Sequence, residues 1–179
     1  MSTQASYLIQ DIKRMLGRNK ARILYLWFSG NFWGVFLYRL ERGMSLLFGR
    51  AYKYIRIIFI PLFSLIQAYA NLEIHYKADI KGGLMVLHPS LGVVISGHAV
   101  IGKNLTLTGG NVIGGKKGCR QGDIQIGDNC LLGANSTVIG PIILGNNIET
   151  GALSCVVKNC IEDGAVLIGV PAKPINKDA

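Results

Sequence analysis

The chain has 179 residues, a formal net charge of +9 and four cysteines, and this length is sufficient to bury a proper core. Its basic charge and aromatic residues suit single-stranded nucleic acid, but no recognised nucleic-acid motif accompanies them, so we expect no nucleic-acid partner. The cysteines form no CxxC pair and have no ligand spacing with the three histidines, so neither a zinc site nor a disulfide framework is predicted.

Composition divides the chain into two unlike parts. Fourteen of the fifteen aromatic residues precede Asn71, whereas eighteen of the twenty-three glycines follow it. Basic residues outnumber acidic ones by ten to two up to Leu72, but only by nine to eight from Glu73 onward. We therefore predict a basic, aromatic-rich helical segment over 1–72, a second domain over 73–175 and a short tail over 176–179.

Apolar spacing in the first part predicts three helices. They cover Ser6 to Leu16, roughly Ile23 to Phe48, and Ala51 to Ala70 with an interruption at Pro61. The apolar run from Ile57 to Ile66 is about half the length of a bilayer-spanning helix, so no transmembrane segment is predicted. Because Met1 to Gln10 is polar, no secretory signal is predicted either, and a cytoplasmic location is the expectation.

Basic and aromatic residues alternate with aliphatic ones throughout 1–72. Such a segment suits a helix that lies on anionic lipid, which would place the protein peripherally at the inner face of the cytoplasmic membrane. Aromatic stripes at helical spacing are also typical of packing between subunits, and the ends of a solenoid need covering. The sequence leaves both interpretations open.

The second part carries a period of six residues. An aliphatic residue recurs at almost every sixth position: Ile126, Leu132, Val138, Leu144, Val156 and Ile168. Thr150 is a near match, and Glu162 interrupts the series. The same series extends backward through Ile113, Leu107, Ile101 and Ile95. A glycine usually follows each position. This period predicts a parallel β-helix solenoid, in which each aliphatic side chain points into a shared interior and each glycine eases a turn.

Two segments break the six-residue period. Residues in such segments are not required for packing the interior, so we expect a functional site there. The first is 88–92, which begins with His88. The second is 114–123, an excursion of about seven extra residues that is rich in glycine and contains Lys116, Lys117 and Arg120. Close backbone approach and positive charge suit a phosphate-bearing or anionic ligand, although a solvated turn remains the alternative.

Several motifs in order resemble the serine acetyltransferase branch of the hexapeptide-repeat acyltransferases. They are Glu73-Ile74-His75, Gly83 to His88, Gly92 to Ile95, the Gly-Gly loop, Ile126-Gly127, Leu132-Gly133-Ala134 and Gly169 to Lys173. The resemblance covers roughly 73–175. It implies a mainly β fold, a left-handed parallel β-helix of about five coils preceded by the helical segment.

The resemblance also implies catalytic residues. In the resembled enzymes a histidine deprotonates the acceptor hydroxyl, which attacks the acetyl-CoA thioester directly, and a carboxylate fifteen residues earlier orients the histidine. Here His88 is the expected general base and Glu73 its orienting carboxylate, where the serine enzymes carry Asp. His75, Arg120 and Gln121 are expected to contact the acceptor.

The cofactor-binding residues expected from the resemblance are Gly114, Gly115, Lys116, Ala134, Ala152 and Lys173. The glycines border the donor site, the alanines lie along the pantetheine arm, and the lysine of the last motif lies near the CoA phosphates. Acetyl-CoA is thus the expected co-substrate, and no metal is expected. The groove lies between two subunits in this family, which implies a homotrimer; a dimer of trimers is left open.

Two departures from the serine enzymes concern the acceptor. Leu87 stands where they carry an aspartate that binds the amino group, and Gln121 stands where they carry a histidine. A buried ammonium without a counter-charge costs several kcal/mol. We therefore do not expect serine as the acceptor. The pattern His88-Pro89 followed by Gly92-Val93-Val94-Ile95, after a short basic and aromatic segment, resembles instead the subgroup that serves capsule, exopolysaccharide or colanic-acid assembly. This resemblance implies a hydroxyl of a sugar or lipid-linked glycan as acceptor.

Serine O-acetyltransfer in cysteine biosynthesis is the alternative function. A non-catalytic scaffold and a γ-class carbonic anhydrase are further alternatives, but the latter needs three zinc histidines at spacings that this chain lacks. The identity of the acceptor, the hydroxyl that is modified and the length of the acyl chain stay open at this stage.

Overall fold

A computed structural model describes residues 2–18, 21 and 23–175; the predicted tail over 176–179 lies outside them. Four α-helices come first: α1 (Ser2–Leu16), α2 (Ile23–Leu26), α3 (Gly30–Phe48) and α4 (Tyr52–Ala70). A short 3-10 turn, Gly49–Ala51, joins α3 to α4. The last helix ends at Ala70 and the first strand begins at Leu72.

Within the described residues, fifteen short strands follow the helices. They are β1 (Leu72–Ile74), β2 (Asp79–Ile80), β3 (Met85–Val86), β4 (Val93–Ile95), β5 (Ala99–Ile101), β6 (Thr106–Leu107), β7 (Asn111–Gly115), β8 (Ile124–Ile126), β9 (Leu131–Leu132), β10 (Thr137–Gly140), β11 (Ile142–Leu144), β12 (Glu149–Thr150), β13 (Cys155–Val156), β14 (Val166–Gly169) and β15 (Ala172–Ile175).

The strands stack into three sheets that form the sides of a solenoid. The first sheet has the order β1-β4-β7-β10-β13, the second β2-β5-β8-β11, and the third β3-β6-β9-β12-β14-β15. Neighbours pair in parallel except β14 and β15, which pair antiparallel. The predicted parallel solenoid of about five coils is confirmed; its left-handed sense stays a prediction.

The six-residue period marks the interior of the solenoid. The positions of the series from Ile95 to Val156 are all buried, and Ile101 pairs with Ile126 across the seven-residue excursion. Thr150, the polar member, is buried because its hydroxyl donates to Ser136 Oγ at 2.9 Å and accepts the Gly133 N–H at 3.0 Å. A polar side chain is thus accommodated by satisfying its hydrogen bonds.

Ile168, predicted to point inward, is exposed, and this prediction is wrong. Leu167 is buried instead and pairs with Thr150. The reason lies in a shortened turn, since Cys160 rather than Glu162 bridges to Leu144 in the coil before. Loss of residues in the turn shifts the register, and a shift by one residue reverses which side chain faces the interior.

The repeat glycines serve close approach between coils. A Cβ on Gly127 would lie 2.5 Å from the Gly145 carbonyl oxygen, and a Cβ on Gly133 would lie 2.5 Å from the Thr150 carbonyl oxygen. Neither glycine has a positive φ. Several turns are made by asparagines in the left-handed region, Asn104, Asn129, Asn135 and Asn147, a conformation that asparagine tolerates better than most residues.

All three helix predictions differ from the structure, the first only because α1 begins at Ser2 instead of Ser6. The predicted helix over Ile23 to Phe48 is split, because 27–29 leave the helix between α2 and α3. Helix α4, by contrast, continues through Pro61 instead of being interrupted there. Proline removes the hydrogen bond to the residue four positions earlier; Pro61 and Ile57 are both exposed, where water is available to the carbonyl that is left unpaired.

This continuity bears on the prediction that no segment spans a membrane. Among the described residues, the helical stretch 30–70 is long and apolar enough to cross a membrane by length and composition, with a mean hydropathy of 1.2. A buried core helix of a soluble protein can have the same length and composition, but only 11% of the apolar window found within 30–70 is buried. The predicted absence rested on the short length of the apolar run from Ile57 to Ile66 and on its division by Pro61, through which the helix in fact continues.

The helices cover the open end of the first coil. Asp11 accepts hydrogen bonds from the Gly83 and Leu84 N–H groups, each at 2.7 Å, while Arg39 donates to the Ile80 carbonyl at 2.6 Å. The Tyr38 hydroxyl donates to the Ala78 carbonyl at 2.9 Å. Tyr38 belongs to the same buried cluster as the solenoid interior, so the helices satisfy the backbone groups that the first coil would otherwise leave unpaired.

Candidate functional site

His88 lies at a corner of the solenoid, directly after β3. Its N–H donates to the Thr108 carbonyl at 3.0 Å, and a 3-10 turn, Pro89–Leu91, carries the chain on to β4. This turn absorbs the slip in register that the sequence shows between Val86 and Ile95. The His88 side chain is exposed. We call the stacked turns 87–92, 108–110, 133–136 and 151–154, which join the third sheet to the first, the histidine corner.

Glu73 lies on β1, next to the same corner. Its side chain points outward and lines a cleft of ≈ 360 Å³ whose other wall includes Leu91 and Gly92. The amide of Asn71 donates to the Ser90 carbonyl at 2.8 Å, which ties the start of β1 to the turn after His88. Among the described residues, no hydrogen bond joins the side chains of Glu73 and His88.

Ala134 and Ala152 lie further along the histidine corner. The Asn135 N–H donates to the Gly109 carbonyl and the Leu153 N–H to the Ala134 carbonyl, each at 2.8 Å. The turns are therefore stacked in register from His88 to the fifth coil. Lys173 is exposed on β15, opposite Ile168 at the end of the solenoid.

The remaining predicted residues cluster at a different corner, between the first and second sheets. We call the turns 75–78, 96–98 and 116–123 the loop corner. The Gln121 amide donates to the Lys77 carbonyl at 3.2 Å, and the Gly122 N–H donates to the His98 carbonyl at 2.9 Å. The long loop thus folds back across the turns of the two preceding coils.

Within this loop, Lys116 and Arg120 have exposed side chains. The backbone N–H of Arg120 donates to Asp123 Oδ2 at 2.7 Å, which stabilises the turn of the loop. Gly114 and Gly115 do not belong to the loop itself, because they form the end of β7 and pair with Ile139 and Gly140.

His75 is held by its neighbours at the loop corner. Its ring stacks on Tyr76 with centroids 4.6 Å apart, and its Nδ1 accepts the Lys77 N–H at 3.1 Å. Burial lowers the pKa of His75, and the positive charges of Lys77 and Arg56 lower it further. A neutral ring that accepts at Nδ1 carries its proton on Nε2.

A second cleft, which the sequence did not predict, includes Leu87, the residue before His88, in its lining. It encloses ≈ 370 Å³ and is lined by Leu87 and Met85 from the solenoid and by Arg14, Tyr25 and Asn31 from the helices. Asn31 is only 8% exposed, and its Oδ1 has no hydrogen-bond partner among the described residues. No sequence signal brings these residues together, since they meet only when the helices dock on the first coil.

Arg14 is fixed in this second cleft. Its guanidinium donates to the Gly83 and Leu105 carbonyls at 2.6 and 3.1 Å and to Thr106 Oγ1 at 2.6 Å. The described lining of the cleft includes no carboxylate. The arrangement therefore places a cation, an amide side chain and apolar surface together beside Leu87.

Metal-ligating groups are not clustered in the part of the chain that the structure describes. No three of its His, Cys, Asp and Glu side chains are placed to hold an ion. All four cysteines are free, with Cys130 and Cys160 buried. His88 places an exposed imidazole, a group suited to acid–base chemistry, at the histidine corner.

Comparisons with known proteins agree with this architecture. The family model described as "Hexapeptide repeat of succinyl-transferase" matches residues 123–152. A serine acetyltransferase of Staphylococcus xylosus is 35% identical over 113 residues, which cover 62% of this chain and 50% of the relative. A solved serine acetyltransferase from Neisseria gonorrhoeae, in complex with serine, matches with a TM-score of 0.78 and 28% identity over 97% of this chain and 70% of that one.

Over these stretches the chain is similar to serine acetyltransferases in sequence and in fold. A further serine acetyltransferase structure, solved in complex with CoA, has a TM-score of 0.74 and covers 97% of this chain and 70% of that one; at 23% identity it shows the fold alone. The chain spans about half the length of the curated relatives that it matches. The polysaccharide branch predicted from the sequence is not represented among these relatives.

Proposed function

We propose that the protein is an acetyl-CoA-dependent O-acetyltransferase in which His88 is the general base. The observation that carries this proposal is the position of His88. It is exposed on the turn that connects Leu87, which lines one cleft, to Leu91, which lines the other. It also shares its corner with the stacked turns that hold Ala134 and Ala152. An acceptor in a cleft and a donor along the corner would thus meet at one imidazole.

Direct transfer needs one group that first accepts and then returns a proton. The His88 imidazole takes the hydroxyl proton of the acceptor as the oxygen attacks the thioester carbonyl, and a tetrahedral intermediate forms. Its collapse breaks the C–S bond, and the proton on His88 goes to the departing thiolate. The products are the O-acetyl ester and free CoA, and no covalent enzyme intermediate is required.

Glu73 is the proposed positioning residue for His88. A carboxylate that accepts the proton on the far ring nitrogen fixes the tautomer and stabilises the imidazolium. The contact between Asn71 and the turn after His88 supports this role, because it holds the strand of Glu73 against the histidine corner.

Assembly is the next part of the proposal. Glu73, His88, Ala134 and Ala152 lie at the histidine corner, whereas His75, Lys116, Arg120 and Gln121 lie at the loop corner of the same chain. A threefold homotrimer with heterologous contacts brings the loop corner of one subunit against the histidine corner of the next. The site is then completed between subunits, and both groups of residues contribute to it.

The donor is proposed to lie along the histidine corner. Ala134 and Ala152 leave space beside the backbone for a pantetheine arm, while exposed Lys173 and Lys116 supply positive charge for the CoA phosphates. Gly114 and Gly115, at the end of β7, allow close approach of the donor to the backbone.

L-serine is the acceptor that the comparisons favour. The curated relatives and the solved neighbours are serine acetyltransferases, and one neighbour was solved with serine. Under this proposal the product is O-acetylserine and the protein belongs to cysteine biosynthesis.

A sugar hydroxyl is the second candidate acceptor, because of the cleft beside Leu87. An amino acid brings an ammonium group, whose burial is favourable only with a counter-charge. The described lining of this cleft has Arg14 and no carboxylate, so it supplies no counter-charge for an ammonium group. A sugar acceptor would place the protein in surface polysaccharide biosynthesis.

Thiol release from acetyl-CoA distinguishes the two acceptors. Purified protein is given L-serine, or one of a panel of sugars, nucleotide sugars and polyprenyl-linked glycans, with a thiol-reactive dye as readout. Turnover on serine alone supports the first candidate, and turnover on a glycan alone supports the second. Wild-type protein that releases no thiol with any acceptor, yet is folded, would contradict the proposal of acetyl transfer.

A further inference from the structure

We propose that α4, together with the exposed Phe28 beside its C-terminal end, binds the surface of an anionic lipid bilayer, with α4 lying in the plane of the interface. This proposal concerns the helical segment and is independent of the proposed chemistry at His88.

One face of α4 is a continuous exposed apolar stripe. Its members recur at helical spacing and are all exposed: Tyr54, Ile58, Leu62, Leu65 and Tyr69. Ile58 is 77% exposed and Leu65 69%. The Tyr69 hydroxyl donates to the Phe28 carbonyl at 2.8 Å, so the exposed ring of Phe28 extends the stripe beyond the end of the helix. A contiguous apolar surface of this kind marks an interaction site.

The opposite face of α4 is held by the protein. Tyr52, Phe63 and Ala70 are buried, and the Tyr52 hydroxyl donates to Glu41 at 2.9 Å. The helix leads directly into β1, whose Leu72 belongs to the solenoid core. A helix surrounded by lipid on all sides would expose this face to acyl chains, so we infer that α4 lies in the interface with one face on lipid.

The positive charge of the helical segment favours anionic lipid as the partner of the stripe. The helical segment has two acidic residues, and both are buried in ion pairs: Asp11 with Arg39 and Glu41 with Arg56. Its exposed charged side chains in the described residues are therefore all basic, among them Lys13, Arg18, Arg50 and Lys53. A second copy of the chain would bring the same positive surface against this one, whereas anionic lipid is complementary to it.

A basic cleft lies at the N-terminal end of the stripe. Arg50 and Lys53 from the helices and Lys77 from the solenoid line a space of ≈ 400 Å³ together with Tyr76. Lys53 Nζ lies 4.6 Å from the centroid of the Tyr54 ring, so positive charge adjoins the first member of the apolar stripe. Aromatic residues at the boundary and basic residues beside them are the features of an interfacial helix.

The test is cosedimentation with vesicles of phosphatidylcholine, with and without about 30% phosphatidylglycerol, in low and high salt. We expect wild-type protein to bind the anionic vesicles and to be released by salt. The Ile58→Ser/Leu65→Ser variant should weaken binding at least about tenfold, and Arg50→Glu/Lys53→Glu by roughly thirtyfold or more.

Matched controls use the exposed surface of the solenoid. Ile143→Ser/Ile161→Ser and Lys103→Glu/Lys158→Glu make the same chemical changes far from the stripe and should bind as wild type does. Absence of binding to anionic vesicles, or equal loss in stripe and control variants, would overturn the proposal. So would a change in the mass of the assembly in solution caused by the stripe variant alone, which would assign the stripe to a second copy of the chain.

Discussion

Asp11 and Arg39 form an ion pair, with Arg39 Nε 2.8 Å from Asp11 Oδ2, that is buried between the helices and the first coil. The two side chains are 0% and 2% exposed. Each also bonds backbone groups of the first coil, so the pair joins α1 and α3 to the end of the solenoid.

Removing one partner should therefore destabilise the fold. Arg39→Ala leaves a buried carboxylate without its counter-charge, and we expect a loss of about 3–5 kcal/mol in the free energy of unfolding. Urea denaturation followed by circular dichroism measures it. The exposed Lys13→Ala on α1 is the control and should stay within about 0.5 kcal/mol of wild type; an equally small effect of Arg39→Ala would show that the pair does not anchor the helices.

Gly34 is required by the packing of α3 on β1. A Cβ at this position would lie 2.5 Å from the Leu72 side chain, which is itself in the core. Gly34→Ala should lower the melting temperature, with a cost of about 1–3 kcal/mol from overpacking. Gly43→Ala on the same helix is the matched control, since its nearest neighbour atom would be 3.9 Å away and alanine favours a helix by about 0.5–1 kcal/mol. Similar effects at both positions would refute this account of Gly34.

The proposed site between subunits predicts complementation. His88→Ala and Arg120→Ala chains should each be inactive or nearly so, because each removes one side of the site. Mixed trimers from coexpression should regain about a quarter of wild-type activity, since that share of the interfaces pairs an intact histidine corner with an intact loop corner. Thiol release from the copurified mixture measures this, and activity no higher than that of the separate variants would place the site within one chain.

His75 should remain neutral to lower pH than an ordinary histidine. Burial lowers its pKa below 6.5, and the charge of Lys77 lowers it further. The unfolded chain binds the proton first, so the contribution of His75 to stability is present above pH 6.5 and is lost as the pH falls through the folded-state pKa. An NMR titration of the imidazole should show the lowered midpoint, and Lys77→Gln should raise it, whereas Lys103→Gln should not. A midpoint at or above the ordinary value would contradict the burial of this ring.

The sequence predicted the fold well at the positions where the interior of the solenoid requires a side chain to point inward. The interior positions from Ile95 to Val156 follow directly from the six-residue period, because each coil repeats the same inward direction. Ile168 was misplaced because the shortened turn before Cys160 is not visible in the period itself. The continuity of α4 through Pro61 was missed because an exposed site tolerates the unpaired carbonyl that a buried one would not.

The candidate site was predicted in part for a similar reason. His88 stands out in the sequence because it breaks the repeat, and the resemblance supplied Glu73. The predicted site residues lie at two separate corners, the histidine corner and the loop corner. This separation becomes visible only once the chain is folded into a solenoid with three sides. The contributions of Arg14 and Asn31 to the cleft beside Leu87 depend on how distant helices dock, which no local pattern in the sequence records.

The most direct test of the central claim is thiol release from acetyl-CoA by His88→Ala, measured with the acceptor that supports wild-type turnover. If His88 is the general base, the rate constant for transfer should fall by about a hundredfold to ten-thousandfold, while acetyl-CoA binding, the mass of the assembly and the melting temperature stay close to those of wild type. Unchanged turnover in a folded His88→Ala protein would contradict the account.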